Sequence, residues 1–349
     1  MTLKLKPKQF SSVIWILACA FLSALLVLYS PLALEGARNG LALCGQVIIP
    51  SMYPFLVLAG IFTQLQPGVK RFPAPLGAVL LGFLGGYPLG ARTAAQLLEQ
   101  GAVTRAQAQR LQLFCVNAGP AYLIGAVGAG LLGSRRAGML LFASMLLAGL
   151  ALGLLTKFLP EQSIGAACQP PATASPPERK PFDHILLTAV TQATGSILGV
   201  CAWIVLFSAL CALLQLLPQS LWPAIPTLNV LLEVSSGAAA VVRASMPLPV
   251  LCAALGWGGL GVHCQLLGDI RKTGLPLRLF WVSRILHGAL AAAICAALVR
   301  WFPVELPAAA MWGAGRTVRL WAVSAPAAAA LLFFCAFLIL DLDLNRKVC

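Results

Sequence analysis

Gly82-Phe-Leu-Gly-Gly-Tyr-Pro-Leu-Gly-Ala-Arg92 lies inside an apolar run, residues 75–98, whose composition predicts a membrane helix. The stretch nevertheless carries four glycines, a proline and an arginine at what would be membrane depth. Backbone that is not helical is tolerated there only where protein buries it or where it lines a watery cavity. The apolar arms on either side, 76–86 and 89–100, are each about eleven residues long. At about 1.5 Å per residue neither arm crosses a hydrocarbon core of about 30 Å. Two half-length arms around a Gly/Pro tip read as a re-entrant helical hairpin at 76–100. Interrupted apolar segments of this kind point to a transporter binding site.

The rest of the chain agrees with that setting. Of its 349 residues 60% are hydrophobic and 10% charged, which is the composition of a polytopic membrane protein. A net charge of +14 would suggest a nucleic-acid partner in a soluble chain. Here the basic residues sit mostly in short loops and set orientation, so no nucleic acid is expected. The eleven cysteines show no C-x-x-C pairing, and most lie in apolar runs, where Cys acts as a small hydrophobe. Lys4, Lys6 and Lys8 ahead of an apolar run imitate a signal peptide. That run is long and lacks a small-x-small cleavage site, so it is expected to stay as a first span.

Eight spans follow from the hydropathy pattern: 13–29, 41–65, 109–132, 138–159, 185–217, 249–267, 277–301 and 319–340. A second interrupted segment, 227–246, holds Glu233, Ser235, Ser236, Gly237 and Arg243 and reads as a second re-entrant hairpin. With both termini cytoplasmic, fourteen Lys and Arg fall inside and six outside (Arg38, Arg135, Arg136, Arg300, Arg316, Arg319), as the positive-inside bias requires. The first hairpin then enters from inside and the second from outside, the arrangement of inverted repeats. The expected fold is all-α and polytopic, with about eight transmembrane helices and two hairpins in inverted repeats. Its parts are an N-terminal helix (1–35), a first repeat (36–159), a Pro-rich linker (160–184), a second repeat (185–303) and a C-terminal helix and tail (304–349). Between hairpin and third span, Thr104 followed by Gln107 carries a capping-box signature for a helix start.

Four groups of residues carry candidate chemistry. Gly85, Gly86, Pro88 and Gly90 break the first hairpin, with Tyr87 and Arg92 beside the break. Asn117, Gly119 and Pro120 interrupt the third span, where proline frees carbonyls and Asn offers a donor and an acceptor. Glu233, Ser235, Ser236 and Gly237 form the second hairpin, and Glu233 is the acid placed deepest in the membrane region. Gly258, Gly259 and Gly261 loosen the sixth span just before His263 and Gln265. Each group also has a packing reading: kinked helices in close contact, a structural pair of Glu233 with Arg92 or Arg243, and Arg284 and His287 bracing the bundle or snorkelling. No Ser/His/Asp, His-x-x-x-His or paired-carboxylate constellation appears, which disfavours an enzyme. No metal or cofactor is expected.

Five segments in order then carry a family resemblance: Ile49-Pro-Ser-Met-Tyr-Pro-Phe55, Gly85-Gly-Tyr-Pro-Leu-Gly-Ala-Arg92, Asn117-Ala-Gly-Pro120, Leu232-Glu-Val-Ser-Ser-Gly237 and Gly256-Trp-Gly-Gly-Leu-Gly-Val-His-Cys-Gln265. The chain resembles, from about residue 40 to 303, the sporulation integral membrane proteins with nucleoside-recognition (Gate) domains, specifically the stage V sporulation type implicated in dipicolinate transport. It departs from that pattern where the family often has a lysine, at Arg92, and a second asparagine near Asn117. The resemblance implies a fold related to concentrative nucleoside transporters, with two opposed hairpins and two unwound helices around a midplane site. It implies dipicolinate moved from the mother cell to the forespore, in the mother-cell-derived membrane, with Tyr87, Arg92, Asn117, Glu233, Ser235, Ser236, His263 and Gln265 at the solute.

The expected partners are therefore a small solute, the lipid bilayer and a coupling ion, proton or sodium, with a homo-oligomer left open. Two other functions stay in play: a nucleoside or nucleobase carrier of the same fold, and a non-transporting membrane scaffold in spore assembly.

Overall fold

The computed structural model describes residues 7–65, 73–158 and 181–304. The expected eighth span, the C-terminal tail and all but the last few residues of the Pro-rich linker lie outside them. The described residues form helices and connecting turns, without a strand. Five helical runs among them are long and apolar enough to cross a membrane: Ser30–Leu65, Arg135–Phe158, Phe182–Leu216, Leu248–Thr273 and Leu277–Trp301. The surface confirms the solvent. Ile16, Leu17, Val27, Leu28, Leu154, Leu187, Leu198 and Ile285 face outward, while Gln112, Asn117, Glu233, His263, Arg284 and His287 are buried. A soluble protein would reverse that distribution. The chain is an all-α polytopic membrane protein.

The first helix, α1 (Pro7–Leu28), turns at Tyr29 into α2 (Ser30–Leu43), which continues through a π-helical turn, Cys44–Ile48, into α3 (Ile49–Leu65). The second span thus begins at Ser30, not at 41, and Arg38 lies on an exposed helical turn instead of a loop. Pro31 in the first turn of α2 explains the earlier start, because its fixed φ suits a helix opening. Thirty-six helical residues measure about 54 Å, so the run is longer than the hydrocarbon core and can carry Glu35 and Arg38 beyond it.

After α3 comes a hairpin of α4 (Ala74–Gly85) and α5 (Tyr87–Glu99), 12 and 13 residues long. These are about 18 and 20 Å, too short to span. The third span is interrupted: α6 (Arg105–Phe114) stops, residues 115–119 are irregular, and a π-helical segment, Ala121–Leu131, resumes before α7 (Arg135–Leu155). The capping box at the start of α6 is complete. Thr104 Oγ accepts from Gln107 N at 3.2 Å, and Thr104 N donates to Gln107 Oε1 at 2.9 Å.

The second part runs in the same order. A long helix α8 (Phe182–Leu213) leads to a hairpin of α9 (Ile225–Leu232) and α10 (Val234–Arg243). A broken pair α11 (Leu248–Trp257) and α12 (Gly259–Thr273) follows, then α13 (Leu277–Trp301). Proline opens the short helices α4, α5, α9 and α11 in their first two positions, where its missing N–H costs nothing. That placement, more than any hydropathy minimum, cuts the apolar runs into half-helices.

Candidate functional site

Each hairpin break packs on the break of the helix that follows it, and glycines permit the approach. In the first part Gly86 has φ 102°, a conformation open to glycine alone among common residues. A Cβ on Gly119 would stand 3.0 Å from the Leu84 oxygen and 3.1 Å from the Gly86 nitrogen. One on Gly82 would stand 2.7 Å from the Cys115 oxygen and 3.0 Å from the Cα of Gly90. The hairpin arms therefore close on each other and on the unwound stretch after α6.

The second part repeats the device with different residues. Glu233 is extended between α9 and α10, and Gly237 allows those arms to meet, since its Cβ would come within 2.6 Å of the Val230 Cα. Gly258 and Gly259, at φ 83° and 77°, break the next helix. A Cβ on Gly259 would lie 3.0 Å from the Glu233 Cα and nitrogen. The Glu233 carboxylate caps α10, accepting from Ser235 N at 3.0 Å and Ser236 N at 2.6 Å. That answers why an acid survives at 2% exposure: the positive end of a helix and two free N–H groups satisfy it.

The two parts meet tip to tip. Tyr87 Oη donates to the Leu255 oxygen at 2.7 Å, and Tyr122 Oη donates to Ser235 Oγ at 3.2 Å. Between them lies a mostly apolar pocket, open at its mouth. It is lined from the first part by Met52, Gly85, Gly86, Tyr87, Pro88, Gly119 and Tyr122, and from the second by Trp203, Glu233, Ser235, Gly261 and Gln265. Both hairpin breaks, the first helix break and the first turn of α12 after the second reach one cavity. The starts of α5, the π-helical segment, α10 and α12 all abut it.

Of the eight sequence candidates for solute contact, the structure brings Tyr87, Glu233, Ser235 and Gln265 to the pocket wall. Ser236 contributes its backbone N–H to Glu233. The other three stand behind the wall. Asn117 is 1% exposed and donates from Nδ2 to the Phe114 oxygen at 2.9 Å, bridging the end of α6. His263 donates from Nε2 to the Trp257 oxygen at 2.9 Å and lies edge-on between Trp257 and Phe280. Arg92 points away from Glu233: its Nε is 3.5 Å from Asp269 Oδ2. The expected pairing of Arg92 with Glu233 is therefore replaced by a pairing with Asp269. Five residues separate Arg92 from Tyr87, about 7.5 Å along α5, which carries its guanidinium past the pocket.

Asp269 itself escaped the sequence reading, which ended the sixth span at 267. The cluster Asp269, Arg271, Lys272 looks like a loop, yet α12 continues to Thr273 and turns Asp269 inward, 8% exposed. Around it Gln112 donates to the Ala91 and Asp269 oxygens at 3.2 and 3.0 Å, and Thr273 Oγ1 donates to Gln112 Oε1 at 2.5 Å. The second part's α12 is thereby tied to α5 and α6 of the first. Sequence reasoning also missed Tyr122, Trp203 and Met52 on the wall. Met52 and Ser51 fall in the quoted 49–55 segment, whereas nothing marks Trp203 within its regular apolar helix. Arg284 and His287 do not snorkel: both are buried, and His287 bridges the Met145 oxygen at 3.2 Å and the Gly256 oxygen at 3.4 Å. Among the described residues no three His, Cys, Asp or Glu gather as metal ligands.

No family model matches the chain, and no solved structure matches it. Among curated proteins it is similar to Sporulation integral membrane protein YlbJ of Bacillus subtilis (strain 168), at 27% identity over 335 residues covering 81% of each chain.

Proposed function

We propose that this chain is a membrane transporter of a small solute, and that the solute is dipicolinate, carried during sporulation. One observation carries the reading: two hairpin breaks, one helix break and the first turn of α12 beyond the other converge on a single pocket. Interrupted helices around a shared site are the architecture by which secondary carriers hold a solute at mid-membrane. The likeness to a sporulation integral membrane protein supports the setting. The resemblance to the nucleoside-recognition (Gate) proteins of the stage V sporulation type supports the substrate. Dipicolinate is a small aromatic dianion. Tyr87, Tyr122 and Trp203 line the pocket as aromatic partners for its ring, and the starts of α5 and the π-helical segment abut it, where the positive ends of helices favour carboxylates. Residues 36–159 and 185–303 act as the two units that move against each other, driven by a proton or sodium gradient.

A second reading rests on a specific feature. Among the described residues the wall carries the acid Glu233 and no Lys or Arg. A nucleoside, which offers neutral donors, suits that polarity. Uptake into proteoliposomes decides between them. Saturable uptake of dipicolinate, unaffected by excess nucleoside, is the expected result. Nucleoside uptake insensitive to dipicolinate keeps the pocket and replaces the substrate. Folded protein that takes up neither solute returns the chain to a scaffold role in spore assembly.

A further inference from the structure

Arg284 is the largest fully buried side chain among the described residues, 1% exposed in the third turn of α13. Among those residues it has no carboxylate partner. Its guanidinium instead donates from Nη1 to the Val116 oxygen and from Nη2 to the Leu113 oxygen, while Nε reaches Ser283 Oγ at 3.4 Å. Phe280 stacks beneath it, 5.6 Å from ring centre to guanidinium carbon. Leu113 and Val116 are where α6 ends and the unwound stretch begins. The last carbonyls of a helix have no partners within the helix and carry its negative dipole end. At membrane depth water does not serve them. A planar fork of donors fixed on a neighbouring helix meets both needs at once.

The relationship has a counterpart. Tyr87, from the first part, donates to Leu255 near the end of α11 in the second. Arg284, from the second part, closes the end of α6 in the first. Each broken helix is thus capped by a side chain from the opposite part. Three residues beyond Val116 stand Gly119 and the start of the π-helical segment, which form one lip of the pocket.

We infer that Arg284 is a positioning residue for the pocket: by capping the interrupted helix of the first part from the second, it fixes the lip at Gly119–Tyr122 without touching the solute. The cap stands on the geometry alone, whereas its consequence for the solute rests on the transport reading.

Two buried thiols report on it. Cys115 lies at the break and Cys295 on the same helix as Arg284, both at 0% exposure. Full-length Arg284→Gln and Arg284→Lys proteins, in membranes, would be treated with a maleimide and labelled sites read by mass spectrometry. Glutamine cannot span both carbonyls with charged donors, so Cys115 is expected to label about tenfold to a hundredfold faster, the value of one charge-assisted hydrogen bond. Cys295 should stay protected, and lysine, which retains a cation, should fall between. Unchanged Cys115 labelling in Arg284→Gln overturns the inference. So does a parallel rise at both cysteines, which marks a general brace and not a local cap. These outcomes need no transport, so they are read even if the substrate proposal fails. Where wild-type uptake is measurable, Arg284→Gln should raise KM more than it lowers the maximal rate.

Discussion

The hydroxyl of Tyr87 donates a 2.7 Å hydrogen bond to the Leu255 oxygen, so the residue at the first hairpin break closes the end of a helix in the other part of the chain. The residue meanwhile lines the pocket. One side chain thus joins the wall to the framework, and removing only its oxygen separates the two roles. Tyr87→Phe keeps the ring and leaves the Leu255 carbonyl unsatisfied, a loss of about 1–3 kcal/mol. The expected outcome is a lowered melting temperature in detergent and a KM raised roughly tenfold, with the ring still present to hold the solute. Wild-type values for both would show the bond to be dispensable.

Gly86 tests the backbone. At φ 102° it holds a conformation that a Cβ disfavours, and strain there costs about 1–3 kcal/mol. Gly86→Ala should abolish uptake or sharply reduce it, because the strain falls between the two arms of the hairpin. Gly125→Ala is the control. A Cβ at Gly125 meets nothing within 4 Å and its φ is not positive, so uptake should remain near wild type. Equal effects at both positions would mean that glycine content, and not the break, matters.

Arg92 and Asp269 form a pair outside the pocket, so charge removal there should act on stability before solute affinity. Arg92→Ala strands a partly buried carboxylate and should cost roughly 1–3 kcal/mol, between the exposed and buried limits for ion pairs. Adding Asp269→Asn should recover part of the loss, a coupling read from the melting temperatures of a double-mutant cycle. KM for the solute should move no more than about twofold in Arg92→Ala. A large KM effect with unchanged stability would restore Arg92 to the site.

Much of this arrangement is legible in the sequence, and the limits have physical causes. Glycine and proline at membrane depth announce three of the breaks, and the polar residues Glu233, Ser235 and Ser236 the fourth; that the half-helices start at prolines is seen only in the structure. Direction is what a hydropathy pattern lacks. Arg92 sits one and a half turns beyond the break and faces α12; nothing in 87–92 says so. Asp269 hides in a charged run that reads as a loop, and Arg284 in a regular apolar helix where snorkelling competes with burial. Asn117 and His263 stand beside the breaks as expected, yet their polar groups serve the frayed carbonyls of Phe114 and Trp257 first. Freed carbonyls need donors, and the nearest polar side chains supply them.

Glu233 separates the two solute readings. Its carboxylate accepts one N–H on each oxygen, and it lines the pocket. Glu233→Gln keeps one acceptor oxygen but turns an NH2 group toward the second N–H, so the cap is weakened by about 1 kcal/mol. For a dianion, loss of the wall's negative charge outweighs that cost. Dipicolinate KM should then stay level or fall, measured in proteoliposomes beside the wild type. For a nucleoside, which would use Glu233 as an acceptor, the same change should raise KM about tenfold or more, since hydrogen bonds to a charged group are the stronger kind. A dipicolinate KM that rises by that factor while the melting temperature drops by no more than the cap predicts would mean that Glu233 contacts the solute as an acceptor, and the dianion reading would fall.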